Sequence, residues 1–181
     1  SLTPAELTTS RLTQELFNLW PSYFANIVSF MIIGYYWLNH HAIFSLIKKF
    51  DQTIIWLNIL FLIFLSFLPF PVDLFGEYSN SNIIVAFYCL SLSVVGFLLV
   101  LIWLYASFSR RTIEKDMSNQ HILYYTLRFS IAPLVFLLSI PLVFIDPSLA
   151  KASWIFVLIG IFIINQFFHF RKLSVNENVS V

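Results

Sequence analysis

The run from Ile83 to Phe108, IIVAFYCLSLSVVGFLLVLIWLYASF, holds no charged residue. An apolar stretch this long matches the roughly 20 residues that carry an α-helix through the hydrocarbon of a bilayer. A strand reading fails, because the run is too long and does not alternate as a membrane barrel requires. The same argument picks out stretches on either side. Five spans are expected in all, at about 19–47, 54–75, 83–108, 122–145 and 152–170. The fold class is all-α, a multi-pass transmembrane helical bundle. The joints Lys48–Thr53, Gly76–Asn82, Ser109–His121 and Asp146–Lys151 are short. Short joints make successive helices antiparallel, so residues 1–181 read as a single transmembrane domain.

Composition agrees. Hydrophobic residues make up 59% of the chain and charged residues 10%, with a mean hydropathy of +0.84. A soluble domain carries about 25% charged residues, and this chain lacks the polar surface to enclose so much apolar side chain. The net charge of +1 gives no basic field for nucleic acid. Cys89 is the only cysteine, which excludes an intramolecular disulfide and leaves a buried, inert thiol. No phosphate loop, dinucleotide fingerprint, zinc-protease helix or nucleophile elbow occurs, so no enzyme is expected. Nor is there a carbonyl-ring selectivity filter of the T-V-G-Y-G type. No carboxylate pair lies inside the spans.

Charge in the joints sets an expected orientation. Lys48 and Lys49, then Arg110, Arg111 and Lys115, then Arg171 and Lys172 fall on one side. The other side has only Arg11 and Lys151, together with Asp73, Glu77 and Asp146. This places the protein in the cell membrane with its C-terminus in the cytoplasm and Ser1–Asn18 outside. A chain starting outside without a signal peptide calls for one further helix before it. Thr3-Pro4-Ala5-Glu6 forms a capping box. It opens either a short amphipathic surface helix or a loop that caps the first span. Arg128 is the only charged residue well inside a span, Asp73 lying at the end of the second.

The polar residues of the first two spans form an ordered set. Ser29-Phe30 is followed by Trp37-Leu38-Asn39-His40-His41, then Trp56-Leu57-Asn58, then Leu68-Pro69-Phe70-Pro71, ending near Glu77-Tyr78. This set resembles the single-repeat, prokaryotic-type members of the transmembrane protein 175 family of potassium channels. The likeness covers the first three spans closely, and the last two in length and hydropathy. It implies a six-helix subunit in a homotetramer, with the ion pathway on a first helix carrying R-x-x-x-F-S-D. That motif does not occur here. Arg128-Phe129-Ser130 is a fragment without the spacing. The five spans therefore correspond to the family's second to sixth helices, and the pore-lining residues are expected on the absent first helix.

The resemblance gives the polar cluster a role. Trp37, Asn39, His40 and His41, with Asn58, would hydrogen-bond the first helix and hold it in a conducting geometry. The alternatives are an interfacial belt of Trp and His at headgroup level, or a metal site. Neighbouring helical positions point about 100° apart, and no carboxylate or cysteine is near, so no metal is expected. Asn26 and Ser29 fit isolated interhelical packing bonds. Pro69 and Pro71 suggest an ordered helix terminus, and Pro133 and Pro141 suggest kinks. Trp20, Tyr35, Tyr36, Trp56, Trp103, Tyr105, Tyr124, Tyr125 and Trp154 mostly fall towards span ends and fit ordinary anchoring. The resulting expectation is a potassium-permeable cation channel subunit with a largely apolar pore, with no cofactor beyond the permeating K+. Its partners are potassium ions, the lipid bilayer and copies of itself. The alternative is a non-conducting membrane scaffold or a fragment of a larger membrane assembly.

Overall fold

The computed structural model describes residues 20–110 and 112–177. The expected N-terminal surface segment lies outside them, as do the side chains of Trp20, Asn26, Ser29, Arg171 and Lys172. The helices are α1 (Trp20–Leu46), α2 (Gln52–Phe67), α3 (Pro69–Glu77), α4 (Asn82–Ser107), α5 (Asn119–Val143), α6 (Pro147–Ser153) and α7 (Ile155–Glu177). Among the described residues there is no strand, only an isolated bridge between Ile47 and Ile113. Four units are long and apolar enough to cross a membrane: Gln52–Glu77, Asn82–Ser107, Asn119–Val143 and Pro147–Phe168. The fifth long helix is α1, of 27 residues.

Local chemistry explains where these elements begin and break. The Asp51 carboxylate accepts from the Ile54 backbone N–H and starts α2. Ser118 accepts from the His121 N–H, so α5 begins at Asn119, ahead of the apolar run that starts at Ile122. Asp146 caps α6 through the Ser148 N–H, with Pro147 in its first turn. The last span therefore starts earlier than its apolar stretch suggested. The second span runs on past its prolines, as the expected bounds 54–75 have it, although α2 itself ends at Phe67. Pro69 has no N–H to offer the Leu65 carbonyl, and the Leu68 N–H takes that bond instead at 3.2 Å. The helix tightens there, and α3 continues to Glu77 with proline in its first turn, a position proline tolerates.

Helix α4 is the centre of the bundle. It packs along α5 and also touches α1, α2 and α3, while α7 rests mainly on α5. Of its most apolar window 56% is buried, against 17% for Gln52–Glu77 and 6% for Pro147–Phe168. The uncovered apolar faces of those outer units suit lipid. Lipid tails are as apolar as leucine, so the helices must be held by close packing and hydrogen bonds. Gly96 supplies the packing: a Cβ there would stand 2.8 Å from the Pro133 Cβ. The Tyr36 hydroxyl donates to the Leu92 carbonyl at 2.6 Å, Ser93 to Pro133 O at 3.1 Å, and Trp103 Nε1 to Thr126 Oγ1 at 2.9 Å. Tyr36 and Trp103 are therefore core residues with satisfied polar tips, not interfacial anchors.

The joints meet in pairs at opposite ends. At one end the Lys48 and Lys49 N–H groups both donate to Thr112 O, at 2.8 and 3.2 Å. Tyr105 donates to Asp51 Oδ2 at 2.7 Å. Arg110, in the left-handed region at φ 50°, donates from its guanidinium to Met117 O and Asn119 Oδ1. At the other end Lys151 Nζ donates to Ser79 O at 3.2 Å. The lysine- and arginine-bearing joints 48–53 and 109–121 thus form one docked platform.

Candidate pore-supporting polar cluster

The polar residues near the end of α1 point in three directions, as a 100° step per residue requires. Tyr36, Asn39, Ile43 and Ile47 share the face turned into the bundle and are buried. Asn39 is 9% exposed, and its Nδ2 donates to Tyr35 O one turn back at 2.8 Å. His40 faces α2. Trp37, Leu38 and His41 are left uncovered by the rest of the chain, with Trp37 57% exposed.

His40 and Asn58 come together. The His40 Nε2 lies 2.7 Å from the Asn58 carboxamide oxygen, which accepts from it. Both residues sit between one and two turns from the α1–α2 joint, so antiparallel pairing puts them at one depth. The imidazole is clamped between rings, stacked on Phe44 at 4.1 Å and on Phe61 at 5.2 Å. Phe61 is buried, so one face of the bond is shielded from lipid. A polar pair inside an apolar span favours satisfying its hydrogen bonds within the protein. This bond ties α1 to α2, while α1 packs mainly against α3 and α4.

Trp37 and His41 stack on each other one helical turn apart, with centroids 5.5 Å apart and planes inclined by 14°. Together they make a rigid aromatic and polar ridge on the uncovered face. The structure thus joins His40 to Asn58, pairs Trp37 with His41, and sends Asn39 to a separate interface. Among the described residues no three His, Cys, Asp or Glu side chains gather to hold a metal ion.

Sequence reasoning gave Phe61 and Phe44 no part, although they set the orientation of His40. Their signal was available only as helical spacing: Phe44 is one turn from His40, and Phe61 lies one turn from Asn58. It also took Asp51 as a loop residue. In the structure Asp51 caps α2 and accepts from Tyr105, so it anchors the helix that carries Asn58.

Comparison with known proteins follows the same elements. The family model described as endosomal/lysosomal potassium channel TMEM175 matches residues 2–69, the region of α1, α2 and the start of α3. A potassium channel of Streptomyces collinus is 28% identical over 138 residues, covering 74% of this chain and 67% of that protein. A potassium channel of Chamaesiphon minutus is 29% identical over 138 residues, covering 75% of this chain and 68% of that one. Among solved structures, that of a lysosomal potassium-selective channel TMEM175 homologue from Chamaesiphon minutus superposes with a TM-score of 0.65 at 27% identity. It covers 85% of this chain and 78% of that one.

Proposed function

We propose that this chain belongs to the transmembrane protein 175 family, which its likenesses support, and is a subunit of a potassium-permeable cation channel. The family is one of ion channels, not enzymes. The observation that carries the reading is the fold likeness to a potassium-selective channel over 85% of the chain. In this reading K+ crosses passively through a homotetramer built from one transmembrane domain per subunit. Away from their ends the spans are apolar apart from Arg128, so the pathway is largely apolar. Selectivity then rests on pore width and the cost of dehydration. K+ is cargo, and no resident cofactor takes part. The lysine-rich platform and the C-terminus face the cytoplasm, in keeping with the positive-inside bias.

The polar cluster supports the pore without lining it. His40 and Asn58 lock α1 to α2, and this bond presents the Trp37–His41 ridge outwards at a fixed angle. Trp37 and His41 then form the surface against which a pore helix is held, while His40 and Asn39 act from behind it, His40 through Asn58 and Asn39 within the bundle.

The test is potassium flux into liposomes containing the full-length protein, with subunit number measured by mass in mild detergent. The proposal expects a four-fold assembly and a K+ flux above that of empty vesicles. An intact assembly that carries no flux would replace it with the scaffold reading.

A further inference from the structure

Arg128 is a charged residue set well inside a membrane span. It is half-buried on α5, and among the described residues it makes no hydrogen bond and no ion pair. Its guanidinium lies within electrostatic reach of the Tyr35 hydroxyl group on α1. Counted from Ile122, where the apolar part of α5 begins, Arg128 is six residues in, about 9 Å at 1.5 Å per residue. A cation at that depth is costly without a counter-charge.

Helical side chains lean towards the helix N-terminus. On α5 that direction leads back to the platform bearing Lys48, Lys49, Arg110 and Lys115. Arg128 can therefore extend its charge towards the headgroup level of the leaflet on that side while its methylenes stay in the apolar zone. A dissolved anion does not reach this depth, whereas a lipid phosphate borders it.

Beneath Arg128 lies a place for a chain. Ala132 and Phe136 follow it at one-turn intervals on the same face of α5. Both line a crevice of about 400 Å³ between α1, α4, α5 and α7, which Tyr35, Trp154, Leu158 and Ile161 also line. The walls are almost wholly apolar and descend from the level of Arg128 towards the opposite end of the bundle. A cationic head position above an apolar slot is the complement of an anionic amphiphile.

We propose that Arg128 and this crevice bind one anionic phospholipid from the leaflet on the lysine-rich side, with the phosphate on the guanidinium and an acyl chain in the slot. Arginine presents a planar fork of donors that matches a phosphate bidentately. The surrounding lysines and arginines enrich anionic lipid near the site. The inference needs only that the chain spans a membrane, and it stands apart from whether the protein conducts.

The test uses the full-length protein in detergent, with native mass spectrometry and thermal melting. The probes are dioleoylphosphatidylglycerol, dioleoylphosphatidylcholine and inorganic phosphate. The parent should retain phosphatidylglycerol over phosphatidylcholine and melt higher in its presence. Arg128→Gln should reduce that preference roughly fivefold to tenfold, and Arg128→Lys should restore part of it. Leu158→Trp, which fills the slot from an exposed position, should weaken retention of both lipids. Ile63→Trp, on the uncovered face of α2, should not. Unchanged phosphatidylglycerol preference in Arg128→Gln overturns the proposal. So does an Arg128-dependent rise in melting with inorganic phosphate, which would make the site one for soluble anions. Loss of the oligomer in Arg128→Gln at unchanged lipid retention also overturns it, assigning the residue to contact with another copy.

Discussion

The His40 imidazole and the Asn58 carboxamide are joined across α1 and α2 by a 2.7 Å hydrogen bond, with Phe44 and Phe61 stacked on the imidazole. Removing either partner leaves the other unsatisfied in an apolar setting, at a cost of about 1–3 kcal/mol. His40→Ala and Asn58→Ala should each lower the melting temperature of the full-length protein and reduce K+ flux. The double variant should cost less than the sum of the two, because the shared bond is lost only once. Strict additivity in a double-mutant cycle would show that the bond contributes nothing.

His41→Ala separates the network from the belt. His41 stacks on Trp37 and makes no hydrogen bond within the described chain. If the ridge holds a pore helix, this variant should lose K+ flux and oligomer survival on heating while its helices fold normally. Flux and survival equal to the parent, for His41→Ala and His40→Ala alike, would leave the interfacial belt as the better account.

Gly96→Ala tests the closest helix approach. The added Cβ would sit 2.8 Å from Pro133 Cβ and 3.1 Å from its Cγ and Cδ. A proline ring cannot rotate away, so α4 and α5 must separate. Overpacking of this kind costs about 1–3 kcal/mol. Gly34→Ala is the control, since a Cβ there meets nothing within 4 Å. Equal melting temperatures for the two variants would contradict the packing argument.

Trp103 is fully buried, and its Nε1 donates to Thr126 Oγ1 at 2.9 Å. Trp103→Phe removes the bond and part of the ring, while Trp103→Ala opens a cavity as well. The alanine variant should cost about 3–5 kcal/mol, clearly more than the phenylalanine variant. Similar melting for both would place this residue at the lipid interface after all.

Sidedness can be read by chemistry. Asn80 and Lys115 are exposed, in joints at opposite ends of the bundle, and Cys89 is fully buried. Asn80→Cys should react with an impermeant thiol reagent on intact cells, and Lys115→Cys only after permeabilisation. The Asn178-Val179-Ser180 sequon should stay unmodified in a eukaryotic host, because the proposed orientation puts it in the cytosol. The reverse labelling pattern, or sugar on Asn178, would invert the proposed orientation.

Several elements were legible because their physics is local. The apolar run 83–108 became α4, at Asn82–Ser107, since a bilayer-length stretch without charge can satisfy its backbone only as a helix. The pairing of joints by end followed from short connections. Helix boundaries were less legible. Asp51, Ser118 and Asp146 cap their helices in polar sequence outside the apolar runs, so hydropathy alone misplaced those starts. At Leu68 the chain tightens and continues, because the Leu68 N–H replaces the missing proline donor. The expected span 54–75 ran past both prolines, and the break in the helix at Phe67 is the terminus they suggested.

The sequence by itself determined the class of the protein, the number of long helices, and which residue types were too polar to lie idle in a span. Those properties depend on composition and period, which any stretch carries without its neighbours. Only the tertiary structure decided the partners. It paired His40 with Asn58, separated Asn39 and His41 from that bond by rotation about the helix, buried Tyr36 and Trp103 in the core, and set Arg128 above an apolar crevice with no hydrogen bond or ion pair among the described residues. Helix rotation and depth are set by contacts between elements distant in the chain, above all the Gly96–Pro133 approach. No window of sequence contains both sides of such a contact.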